Sequence, residues 1–264
     1  MAPSSPPAGL VARLRAAGCV FAEDEAALLV DAAVDDADLE RLVTERVAGT
    51  PLEQVLGWAE FAGLRVAVAP TVFVPRRRTE VLVQVALESL GAGDVVVDLG
   101  CGTGAIAAAL LAAEPSLEVW AVDVDPAAVT CARRNLPPDR VREGDLYAAL
   151  PDDLRGRVAV LAANAPYVPT AAIATMPPEA RDHEARVALD GGPDGLDVQR
   201  RVIADAPRWL APGGLLLVET STEQAGRTAA AMEAAGLLAE VRHDPDLDGT
   251  VAVGRAPVVT PVVV

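Results

Sequence analysis

The sequence predicts an α/β protein with a doubly wound, mostly parallel sheet, and three observations carry that expectation. Short apolar, β-branched runs alternate with Ala-rich stretches of helical length through residues 76–255. The first such run, Val95-Val96-Val97-Asp98-Leu99, ends in the alternating glycines of Gly100-Cys101-Gly102-Thr103-Gly104 and is followed by an alanine-rich helix over 105–113. Glycines at a strand-to-helix turn let the backbone approach a ligand while the free N–H groups of the helix start face it. The second run, Val119-Trp120-Ala121-Val122, ends in Asp123. That is about 20 residues past the glycines, where a carboxylate can accept hydrogen bonds from ribose hydroxyls. Capping of the helix that starts near Pro126 is the structural alternative for Asp123.

Taken in order, residues 1–7 are rich in Pro and Ser and are expected to be disordered. Residues 8–57 place Leu10, Leu14, Leu28, Leu29, Leu39, Leu42 and Val43 at helical spacings, broken at Gly18 and at Asp35-Asp36. They predict a short helical N-terminal domain of two or three helices, which caps the main domain or docks a partner. Residues 58–75 read as a β-hairpin linker, with strands over 61–68 and 72–74 on either side of Pro70. Thr79, after Arg76-Arg77-Arg78, is a candidate cap for a helix over 81–90. Beyond Asp123 a helix is expected over 127–135, then a short strand at Val141 leading to Gly144-Asp145-Leu146-Tyr147, then an apolar strand over 158–163. A long loop leads to a helix over 195–210. Pro212-Gly213-Gly214 then precedes a strand over 215–218, and a helix over 223–235 and strands at 238–241 and 251–253 close the domain. The tail, 256–264, is apolar but interrupted by Pro257 and Pro261.

Composition narrows the function classes. Apolar residues make up 52% and aromatics 3%, so the core is built from Ala, Val and Leu. A formal net charge of −16 repels a phosphate backbone and sets nucleic-acid partners aside. Every basic residue is arginine, and the one basic cluster, 76–78, is short. Cys19, Cys101 and Cys131 have neither paired numbers nor ligand-like spacing, which argues against a disulfide framework and a metal site. With no signal-like start and no apolar run of the roughly 18 residues a span needs, a soluble cytoplasmic protein without membrane contact is expected.

Ligands of a doubly wound sheet lie beyond the strand carboxyl ends, where the first strand neighbours the fourth. The fourth strand ends in Asn164-Ala165-Pro166-Tyr167, so this turn should face whatever the glycines hold. It offers a side-chain amide oxygen, a backbone carbonyl on Ala165 and an aromatic face, a set suited to holding a planar, neutral NH2 group. A plain turn stiffened by Pro166 is the alternative. His183 and His243 fall in predicted loops and read as surface residues.

The combination of Asp98-Leu99-Gly100-Cys101-Gly102-Thr103-Gly104, Asp123, Asp145 and Asn164-Ala165-Pro166-Tyr167 resembles class I S-adenosylmethionine methyltransferases that act on planar nitrogens. Pro51-Leu52, Gly57, Glu60-Phe61, Val74-Pro75-Arg76, Thr79-Glu80 and the run from Leu189 to Gly195 make it more specifically similar to the HemK-like protein-(glutamine-N5) methyltransferases. The resemblance covers nearly the whole chain. It implies a Rossmann-like methyltransferase sheet, S-adenosylmethionine as cofactor, and a protein substrate with an exposed glutamine, as in peptide-chain release factors. It further implies that Asp98 and residues 100–104 hold the methionine part, Asp123 the ribose, and Asp145 and Leu146 the adenine edge. Asn164, Ala165, Pro166 and Tyr167 would take the glutamine side chain, with Asn164 also beside the cofactor. Ala165 stands where the family has proline, Arg77 replaces another proline, and the N-terminal helical segment is shorter than the family's docking domain. Methylation of a small amide or amine, or of adenine N6, are the alternatives. A nicotinamide-dependent oxidoreductase would account for the glycines and Asp123 but not for the Asn164 turn. A non-catalytic cofactor-binding regulator is a further alternative.

Overall fold

The computed structural model describes residues 8–258. Four helices come first: α1 (Ala8–Ala16), α2 (Ala22–Ala32), α3 (Asp36–Val47) and α4 (Leu52–Leu56). Asp35, in extended backbone, caps α3 by accepting from Asp38 N at 2.8 Å, so the acidic pair that interrupts the helical pattern also starts the next helix. Leu10, Leu14, Leu29, Leu42 and Val43 close a small core of their own. The buried Arg46 ties this core outward, with Nε 2.6 Å from Glu25 and Nη1 2.7 Å from Glu179 in the main body.

A two-stranded hairpin follows, β1 (Trp58–Phe61) against β2 (Leu64–Ala67). Its turn is Ala62-Gly63, not the Pro70 region expected from the alternating pattern. Both turn residues have positive φ, 49° and 75°, the backbone twist a two-residue hairpin loop requires. Residues 72–74 form no strand, and only Thr71 makes an isolated bridge, to Glu184.

After a 3-10 turn at Arg77–Thr79 come α5 (Glu80–Leu87), β3 (Val95–Leu99), α6 (Ala105–Ala113), β4 (Glu118–Asp123), α7 (Pro126–Ala132), β5 (Val141–Glu143) and β6 (Val158–Ala163). The stretch read as a long loop folds into a 3-10 turn at Thr170–Thr175 and two short helices, α8 (Pro178–His183) and α9 (Arg186–Leu189). The chain closes with α10 (Asp197–Asp205), β7 (Leu210–Glu219), α11 (Ala225–Ala234), β8 (Leu238–Asp244) and β9 (Gly249–Arg255). β7 starts earlier than expected because Pro212-Gly213-Gly214 forms an irregularity inside the strand: β6 skips one residue while β7 advances from Leu210 to Leu215. His183 and His243 lie in α8 and β8 rather than in loops.

The main sheet has seven strands in the order β5-β4-β3-β6-β7-β9-β8, parallel from β5 to β7 and antiparallel at β9 and β8. All of β3 is buried, as a central parallel strand covered on both faces must be. One face packs on α5, α6 and α7 through Val96, Leu110 and Leu217, the other on α10 through Val97, Leu161, Ile203 and Trp209. Alanines at 105, 107 and 109 bring α6 close to the sheet, and with so few aromatics this closeness replaces bulk as the source of packing. The neighbours β3 and β6 open a crevice between the turns that follow them. No helix among the described residues is long and apolar enough to cross a membrane. The disorder expected of 1–7 and most of the tail, 259–264, lie outside the described residues.

Candidate functional site

The turn after β3 is built from backbone. Gly100, Gly102 and Gly104 have φ of 68°, 54° and 76°, values strained for L side chains. A Cβ at Gly100 or Gly102 would meet open space, whereas one at Gly104 would come within 2.7 Å of Leu136 Cδ1. The first two therefore border a cradle, and the third seats α6 against α7. Asp123, at the end of β4, accepts from Gly102 N at 2.8 Å and from Asp125 N at 2.9 Å, so it holds the glycine loop in place and keeps free lone pairs. Burial pushes its pKa up, and these two N–H groups pull it back. The residue that caps α7 is Asp125, which accepts from Ala127 N, so the capping alternative for Asp123 falls away.

Asp98 is fully buried behind the loop. Burial raises its pKa to about 7, opposed by the N–H of Ala107 at 3.2 Å, and its Oδ1 has no partner. Cys101 is buried, and burial together with Asp98 and Asp123 raises its thiol well above the usual range, leaving it no nucleophilic character. The carbonyl of Thr103 accepts from Asn135, which also brackets the backbone of Ala67 and so ties the hairpin to the glycine loop. At the end of β5, Asp145 pairs with Arg201 at 2.6 Å, both half-exposed, and Leu146 takes φ of 50°.

The turn after β6 is built from side chains. Asn164 Nδ2 donates to Thr79 Oγ1 at 3.2 Å, which leaves Oδ1 as the amide's acceptor. Thr79 stands at the N-cap position of α5, as expected, but its side chain makes no capping hydrogen bond; it also ends the 3-10 turn that carries Arg78. Tyr167 donates its hydroxyl to Glu219 Oε1 at 3.2 Å, and Arg78 Nε approaches the same oxygen at 3.3 Å. Burial and the Glu219 charge push the Tyr167 hydroxyl up to about 12, so it remains a donor at neutral pH. Gln224 Nε2 reaches back to the carbonyls of Tyr167 at 3.0 Å and Asp194 at 3.1 Å. A Cβ at Gly195 would lie 2.3 Å from Tyr167 O, so glycine there lets the 189–195 run close behind the turn.

Gly100, Cys101, Gly102, Thr103, Asp123, Asp145, Leu146 and the whole of 164–167 line one cavity, while Asp98 and Gly104 stand behind it. Glu184 and Arg76 line its far side. The Glu184 side chain is buried, accepts from Arg76 and from Val74 N, and leaves Oε2 without a partner; Arg77 is exposed. Sequence reasoning missed Glu219, Glu184, Gln224 and the true partner of Thr79. A signal existed for Glu219: like Asp98 and Asp123, it is an acidic residue at the carboxyl end of an apolar strand.

Proteins similar to this chain in sequence and in fold are methyltransferases. The family model described as methyltransferase small domain matches residues 64–177. A release factor glutamine methyltransferase of Geobacter sulfurreducens is 42% identical over 188 residues, spanning 70% of this chain and 65% of that protein. One of Streptomyces coelicolor is 42% identical over 204 residues, spanning 74% and 72%. Among solved structures, a methyltransferase from Pyrococcus furiosus superimposes with a TM-score of 0.55 at 16% identity, covering 74% of this chain and 90% of the other. That last likeness is one of fold.

Proposed function

We propose, because the chain belongs to the release factor glutamine methyltransferase family, that it transfers a methyl group from S-adenosylmethionine to the side-chain amide nitrogen of a glutamine in a protein, a peptide-chain release factor. The observation that carries the chemical part of this reading is the commitment of Asn164 Nδ2 to Thr79, which turns the Asn164 oxygen into an acceptor on a cavity-lining residue.

The residues around the glycine turn fit the methyl donor. Open space over Gly100 and Gly102 accommodates its methionine part, Asp123 has lone pairs for ribose hydroxyls, and Asp98, behind the loop, accepts from Ala107 N at the start of α6. Bound there, the cofactor supplies a methyl on a positively charged sulfur. An amide nitrogen is a poor nucleophile because its lone pair is delocalised into the carbonyl. Asn164 Oδ1 and the Ala165 carbonyl would each accept one N–H of the substrate NH2, aim the nitrogen and favour its loss of planarity. Tyr167 would pack over the amide plane, anchored by its hydroxyl on Glu219. Catalysis then rests on positioning and electrostatics. The nitrogen would gain the methyl as the methyl–sulfur bond breaks with its electron pair left on the sulfur, and a proton would be lost from the nitrogen to solvent. With the Ala165 carbonyl retained, the proline missing from this turn removes rigidity but not an acceptor.

The test is intact-mass spectrometry of a release factor incubated with this protein and S-adenosylmethionine, with peptide mapping. One methyl on the glutamine of its Gly-Gly-Gln motif, absent with Asn164→Ala, is the expected result. No methyl gained, with cofactor binding demonstrated in the same preparation, rejects the release factor and directs the search to small amides or adenine.

A further inference from the structure

We infer that Glu219 sets the direction of the hydrogen bonds that orient Asn164, making Glu219 and Thr79 positioning residues that select a hydrogen-bond-donating substrate nitrogen. The inference rests on the glutamine-amide reading above and adds to it two residues that the cavity itself does not require.

Glu219 ends β7, is 2% exposed, and does not line the cavity. Three segments distant in sequence converge on it. Arg78 and Thr79 come from the 3-10 turn before α5, Tyr167 from the turn after β6, and Gln199 of α10 holds its backbone carbonyl at 3.1 Å. Arg78 is the cation that faces the carboxylate, and Tyr167 the other titratable group. An ionised carboxylate accepts only. Tyr167 must therefore donate to it, as its geometry shows. Oε2 is buried and has no hydrogen-bond partner, and the hydroxyl of Thr79, next in the chain to the Arg78 that pairs with this carboxylate, is the neighbouring donor that holds the Glu219 pKa down. A Thr79 hydroxyl turned to the carboxylate offers its lone pairs to Asn164 Nδ2, and the amide is then locked with Oδ1 as acceptor.

Neutralising Glu219 breaks this chain of directions. A protonated carboxyl, or the amide of a glutamine, can itself donate to Thr79 or Tyr167. Thr79 is then free to donate to Asn164 Oδ1, the Asn164 amide rotates, and its NH2 meets the NH2 of the substrate, donor against donor. Burial raises the Glu219 pKa, so the locked arrangement is lost on the acid side at a pH closer to neutral than for an exposed glutamate.

The experiment uses the full chain, wild type and Glu219→Gln. Methyl transfer to the release factor is followed as kcat against pH, and the side-chain amide signal of Asn164 as a function of pH in 15N-labelled protein. The expected result is a kcat lower by about 10- to 100-fold in Glu219→Gln, loss of the acid limb seen in wild type, and a KM for S-adenosylmethionine within about twofold. The Asn164 signal should titrate in wild type and stand still in the variant. Thr79→Ser, which keeps the hydroxyl, should stay within about threefold of wild type, and Thr79→Val should fall as Glu219→Gln does. Unchanged kcat and pH profile in Glu219→Gln, or an Asn164 signal indifferent to pH in wild type, overturns the inference. The amide signal is read without substrate, so it decides the matter even if wild type transfers no methyl to the release factor, an outcome that rejects the functional reading alone.

Discussion

The turns after β3 and β6 stand side by side in the sheet and are built on opposite plans. The first is a backbone device: three glycines at positive φ, steadied by Asp123 from the adjacent strand. The second is a side-chain device: Asn164 and Tyr167 are aimed by Thr79, Arg78, Glu219 and Gln224, drawn from distant parts of the chain, as in the Arg78 to Glu219 contact at a separation of 141. The contrast suits the tasks proposed for them. A cofactor that is always the same can be held by invariant N–H groups, whereas an amide that must be turned to one geometry needs acceptors whose direction is set from behind.

The contrast can be broken by substitutions that separate the two turns. Asn164→Ala should lower methyl transfer by about 10²- to 10³-fold, the cost of deleting one preorganised polar group at a reacting centre. Cofactor affinity, read by calorimetry, should change by less than about threefold; a large loss there would mean that the second turn also holds the cofactor. Asp98→Asn tests the first turn through pH. Asp98 keeps its proton in the fold up to about 7, against 3.8 for the ordinary group. Between those values the folded chain binds more protons than the unfolded one, so stability from this group is greatest in acid and declines as pH rises towards 7. The rise from 3.8 to about 7 corresponds to a decline of up to about 4 kcal/mol, and Asp98→Asn should flatten it in denaturant unfolding at pH 5 and pH 8. Asp123→Ala should weaken cofactor binding by about 10- to 100-fold, in keeping with hydrogen bonds to a charged group, with the Tyr167 and Asn164 surroundings unaltered in amide spectra. The smallest effect is expected at the rim. The Arg201 and Asp145 pair is half-exposed and worth little, so Arg201→Ala should move cofactor affinity by less than about threefold.

The two turns also differ in how readily they could be read. The glycine loop and Asp123 are local patterns at strand ends, and the alternation of strands and helices placed both at one edge of the sheet. Asn164 to Tyr167 was legible as a turn facing the glycine loop because β6 neighbours β3. Its supports were not. Thr79 looked like a helix cap because hydroxyls before helices usually are, yet its hydroxyl is engaged by Asn164 instead. The hairpin turn was misplaced because Pro70 is a stronger punctuation mark than Ala62-Gly63, although only the latter pair supplies the positive φ a tight hairpin needs. The residues between Val168 and Asp194 carry little periodicity. Around their short helices Arg46, Gln54 and Arg76 from earlier segments engage Glu179, the His183 carbonyl and Glu184, contacts that local spacing does not announce.

Periodicity and glycine placement along the chain were enough to predict the fold class and to bring the two turns to one cavity, since each depends on neighbours within a few residues or on the strand order they impose. Which way the Asn164 amide points, why Glu219 is buried and how the 178–189 helices reach the cavity were decided by folding alone. Those outcomes depend on polar groups that meet only after the apolar strands have stacked, and a hydrogen bond between residues 79 and 164 or 78 and 219 leaves no trace in the spacing of either.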